Sequence, residues 1–85
     1  MATATGITWI VGTTTEVGAL EERLGPADAT IRETWPGQVG AGIVALVEAG
    51  PDAGEQVRDA FGPDAAPFDD EDQARTAAAA LARRQ

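Results

Sequence analysis

Large apolar side chains are scarce here, and that limits the fold more than any motif does: Leu, Ile, Val and Phe together supply only 16 of the 85 residues. They concentrate in two β-branched runs, "ITWIV" (7–11) and "IVALV" (43–47), and in sparse stripes at helical spacing. A chain of this size buries only about 60–65% of its surface on folding. With a net charge of −8, the composition lies at the edge of the range expected for disorder. The expectation is one small, marginally stable domain that gains from a partner or a second copy.

Periodicity places the elements. Residues 7–11 alternate, with Ile7, Trp9 and Val11 on one face, which predicts a first strand. Thr14 or Thr15 is placed to cap a helix whose apolar stripe is Val17, Leu20 and Leu24; Gly25, tolerant of positive φ, and Pro26 end it. "ATIRETW" (29–35) predicts a second strand with Ile31, Glu33 and Trp35 on one side. Pro36-Gly37 suits a type II turn, with the connection extending through Gly40. "IVALV" is continuously apolar, as expected of a strand covered on both faces. Asp52 with Glu55 resembles a capping box, opening a helix with the stripe Ala53, Val57, Ala60 and Phe61 that stops at Gly62-Pro63. Met1 to Thr5 read as a loose end, 63–72 as a linker or turn, and 70–84 as an alanine-rich helix with acids first and arginines last.

These elements define an α+β fold: a small single layer of three strands with helices on one face, in the order β-α-β-β-α plus a C-terminal helix. Residues 6–62 form the core; 63–85 form an acidic linker and the terminal helix. A right-handed crossover sets strands one and three side by side and parallel. That arrangement brings the N-termini of the first two helices to one sheet edge, together with Glu16, Glu48, Asp52 and Glu55.

Charge and missing residue types narrow the function. The acidic balance opposes nucleic-acid binding and docking on an anionic membrane, and serves solubility. Ser, Cys, His, Lys, Asn and Tyr are absent, a bias that suggests a GC-rich, bacterial-like genome. Their absence closes the Ser-His, Cys-His and Schiff-base routes, and it removes disulfides and thiolate metal sites. A carboxylate pair such as Glu16 with Glu48 is the acid–base alternative, against helix-start acids facing water. "DDED" (69–72) lacks the spacing and glycine of a calcium loop and fits helix capping. No cofactor, metal or catalytic residue is expected. No apolar run approaches the roughly 20 residues that span a bilayer, and the start lacks a basic-then-apolar leader, so the expected location is the cytoplasm.

Two sets of residues remain as binding candidates. "VGTTTEVGAL" resembles the glycine-rich turn of short-chain dehydrogenase-like Rossmann domains over fewer than twenty residues, which implies phosphate binding at Gly12, Thr13, Thr14 and Thr15. Thr15, however, occupies the position of the glycine that admits the pyrophosphate, and the chain is too short for the remaining βα units. The second set is a partner surface: Trp35 beside the turn, and Ala74, Ala77, Ala78 and Leu81 on the last helix, in a one-face stripe that also includes Ala82. Trp35 reads either as a binding anchor or as a cover on the core's end. The helix stripe has only one large residue, so it reads either as a close helix-docking face or as a solvated tail. Glu33, on an apolar strand face, implies an edge strand or pairing with Arg32, Arg23 or Arg58. The reading that follows is a small, acidic, non-catalytic protein–protein interaction module of adaptor, regulatory or inhibitor and immunity type. An anion- or nucleotide-binding domain using the Gly12–Thr15 turn is the alternative.

Overall fold

A computed structural model describes residues 7–25, 28–38, 40, 42–50, 52–61 and 65–84. The expectations for Met1–Thr5, Pro26 and Gly62-Pro63 lie outside these residues. The element order is β1 (Thr8–Thr14), α1 (Val17–Leu24), β2 (Ala29–Pro36), β3 (Ile43–Ala49), α2 (Gly54–Phe61), β4 (Ala66–Phe68) and α3 (Glu71–Arg84). The class is α+β, as expected, but among the described residues four strands form the sheet rather than three. They run in the order β2-β3-β1-β4, and every neighbouring pair is antiparallel. β1 and β3 are neighbours, but antiparallel rather than parallel, because β3 lies between β1 and β2 and opposes both. This is the split β-α-β, ferredoxin-like arrangement, extended by α3.

β4 falls within the stretch read as a linker. Its three residues pair with Trp9, Ile10 and Val11. Pro67 hid it, because proline demotes a strand signal and belongs on sheet edges, where β4 lies.

The layering also corrects the sequence expectation. Helices cover both faces of the sheet. One core cluster joins Ile10, Ala45, Val47 and Ala49 to Leu20 and Leu24 of α1 and Val57 of α2. The other joins Val11, Val44 and Leu46 to Ala74, Ala78 and Ala82 of α3, with Trp9, Trp35, Phe68 and Leu81 packed around it. Val44, Ala45, Leu46 and Val47 are all fully buried, since alternate side chains enter alternate cores. The continuous run in β3 therefore required a third layer, which α3 supplies.

β2 does not keep Ile31, Glu33 and Trp35 on one face. A register irregularity between Ile31 and Glu33 leaves Arg32 as an extra residue, the mark of a β-bulge. Ile31 consequently joins the α1/α2 core and Trp35 the α3 core. Local chemistry ends the helices differently from expectation as well. The N-cap of α1 is Glu16, in extended backbone, with no side-chain capping bond. Gly25 at its end is right-handed helical at φ −49°, ψ −46°, so its positive-φ tolerance is unused. Asp70 does cap α3: its Oδ2 accepts the Gln73 N–H at 3.1 Å.

Candidate functional site

The Gly12–Thr15 segment divides by role. Gly12 is buried inside β1, opposite Ala45. A Cβ on it would stand 2.5 Å from the Phe61 ring, so the missing side chain admits α2's last residue to the sheet. The threonines come afterwards. The Thr14 hydroxyl accepts the Glu16 N–H at 3.3 Å and donates to the Glu16 carbonyl at 3.1 Å, fixing the turn into α1. Thr13, Thr14 and Thr15 share a shallow hollow of about 270 Å³ with Arg23, Ala60 and Phe61. Arg23, which the sequence reading did not place there, donates from Nη1 to the Ala60 carbonyl at 3.2 Å.

The expected gathering of two helix N-termini does not occur. α1 follows the end of β1 at Thr14, which pairs with Ile43; α2 follows the end of β3 at Ala49, which pairs with Thr8. The two starts therefore lie at opposite ends of the sheet. For the same reason Glu16 and Glu48 cannot share a proton: five residues of strand, about 17 Å, separate the Ile43 and Glu48 positions alone. Asp52, Glu55 and Arg58 line a separate hollow of about 380 Å³ with Thr8, Ile10 and Pro67. Among the described residues no group of three or more acids is arranged to hold a metal ion, and no helix is long and apolar enough to cross a membrane.

The partner-surface candidates do come together, around the α3 layer. Ala74 and Ala78 are fully buried against the sheet, while Ala77, Leu81 and Trp35 are half-buried at its margin. Ala82, one further turn along, is buried with them. The small-residue stripe thus gives close approach to the chain's own sheet. The carbonyl of Ala82 accepts the Gln38 N–H at 3.1 Å, tying the β2–β3 connection to α3.

Glu33 resolves as an edge-strand acid that is also paired, but with Arg75 of α3 rather than the arginines anticipated. Arg75 also binds Glu71 at 2.9 Å, an i, i+4 pair legible in the sequence. The Glu33 hydrogen bond, and after it the Glu71 one, hold the Arg75 guanidinium above its ordinary pKa. Arg32 lies 3.5 Å from Glu48 across the sheet face. Comparison with protein-family models, with curated proteins and with solved structures gives no match to this chain.

Proposed function

We propose that the chain is a small, acidic, non-catalytic protein–protein interaction module: an adaptor, a regulatory subunit or an inhibitor-like partner. The observation that supports this reading is the separation of charge from interior. Among the described residues no polar or charged side chain is buried, so both cores are purely apolar and the ionisable groups face outward. The α1/α2 layer presents Glu16, Glu21, Glu22, Asp52, Glu55 and Asp59 to solvent, against Arg23 and Arg58. A surface of one dominant sign steers and selects a partner of the other.

The test is retention of proteins from the native cell extract on the untagged chain at low salt, with release by sodium chloride. The triple variant E21K/E22K/E55K is expected to lose the retained protein. Equal retention by wild type and variant would remove the acidic layer from the account.

A second reading has one specific observation in its favour, the hollow that joins Thr13–Thr15 to the Arg23 cation beside the start of α1. Inorganic phosphate or a nucleotide bound there raises the melting temperature at millimolar concentration, because it binds only the folded chain. An unchanged melting temperature rejects that site.

A further inference from the structure

We infer that the outer edge of β2 pairs with the same strand of a second copy, about a two-fold axis that passes between Arg32 and Glu33. This rests on the reading of the chain as an interaction module and names one partner for it. The two sheet edges are unequal: β2 offers eight residues, whereas β4 offers three with a proline at its centre. Pairing at β2 therefore joins two sheets into one of eight strands and stops there, a closed two-fold dimer.

The bulge makes this pairing self-complementary. In an unbroken strand, residues on one face are an even number apart, so a two-fold axis normal to the sheet falls on a residue that meets its own copy. At the bulge, Arg32 and Glu33 are consecutive yet share a face. Arg32 reaches Glu48, which lies opposite Trp9 on the α3 side, and Glu33 reaches Arg75 of α3 itself. An axis between them sets each Arg32 against Glu33 of the second copy. A shift of half a step either way sets Arg32 against Arg32 or Glu33 against Glu33, so one register alone pairs unlike charges.

That register also matches the faces of the flanking residues. Thr30 meets Trp35 on the α3 side, since they lie opposite Glu48 and Val44 of β3. Ile31 meets Thr34 and Ala29 meets Pro36 on the α1/α2 side, where their β3 partners are Val47, Ala45, Ala49 and Ile43. Pro36, exposed in the single chain, then lies beside a hollow of about 250 Å³ whose lining includes Leu24, Ala29 and Ile31. The Arg32 and Glu33 side chains remain 51% and 45% exposed despite their internal pairs, which leaves each free to take a second partner. Across the axis the charges alternate as Arg75, Glu33, then Arg32 and Glu48 of the second copy, and this row occurs twice in the dimer.

The test uses the full chain in sedimentation equilibrium from micromolar to millimolar concentration, with circular dichroism to verify folding. The wild type is expected to reach twice the mass of one chain. R32E and E33R, each placing like charges across the axis, are expected to dimerise at least tenfold more weakly. An equimolar mixture of the two recovers the dimer, since one brings only acids and the other only arginines to the axis. A wild type that stays monomeric at 1 mM, single variants as dimeric as wild type, or a mixture that stays monomeric overturns the pairing. Should the variants fail to fold, wild-type amide exchange decides: protection that grows with concentration is expected in β2, and its absence there overturns the proposal. A monomeric chain that still retains a protein from extract loses only this pairing; one that neither dimerises nor retains a partner loses the module as well.

Discussion

At Gly12 the stability of a whole layer depends on one missing methyl group. The glycine's position in β1 brings the Phe61 ring to where any Cβ would stand, and Phe61 packs on the α1/α2 core. Gly12→Ala must push α2 outward or turn the ring off its rotamer, at about 1–3 kcal/mol by the usual cost of overpacking. In a Phe61→Leu background, where the ring is gone, the same substitution should cost measurably less. Urea unfolding of the four proteins in this cycle gives the coupling directly. Equal costs in both backgrounds would show that the ring does not set the requirement for glycine. In the sequence this glycine resembled one that cradles a phosphate, because both roles need a residue without a side chain. Only the partner across the gap separates them, and that partner is 49 positions away.

The elements were legible wherever local pattern and tertiary role agreed. β1, β3, α1 and α2 follow from alternation, a continuous apolar run and helical stripes. β4 was hidden because its only reason to be a strand is the free edge of β1, a long-range cause without a local signature. β2 was found as an element, but its faces were misassigned, since a single bulged residue reverses the parity of everything beyond it. The last helix shows how weak side chains can still hold a layer. Ala74, Ala78 and Ala82 bury little area each, yet their size lets α3 lie close over Val11, Val44 and Leu46. Ala78→Asp puts an unpaired carboxylate into that contact and should cost about 3 kcal/mol or more. Ala80→Glu, on the exposed side of the same helix, should stay within about 0.5 kcal/mol. Trp9 and Trp35 flank this layer, so their fluorescence should shift to the red in Ala78→Asp and remain unchanged in Ala80→Glu. Identical behaviour of the two variants would mean that α3 is helical but not docked.

Across the whole molecule, net charge opposes compaction. The chain carries −8, and the ion pairs among the described residues all lie between substantially exposed side chains, where water and salt weaken them. Acids on α1, α2 and the start of α3 therefore repel one another over distances that salt controls: the screening length is about 30 Å at 0.01 M and about 8 Å at 0.15 M. Added salt removes more repulsion than attraction, because acids outnumber arginines 14 to 6. The melting temperature should rise between 10 mM and 500 mM sodium chloride by roughly 4 °C or more, the equivalent of about 1 kcal/mol in a domain of this size. Chloride is the appropriate salt, since sulfate would also strengthen apolar burial and confuse the two effects. A melting temperature that falls with chloride would instead place the Arg75 and Arg32 pairs above net repulsion in the energetics. The same excess of acid limits nonspecific contact between copies, so solubility should be lowest near the sequence pI of about 4.1, where that repulsion is gone.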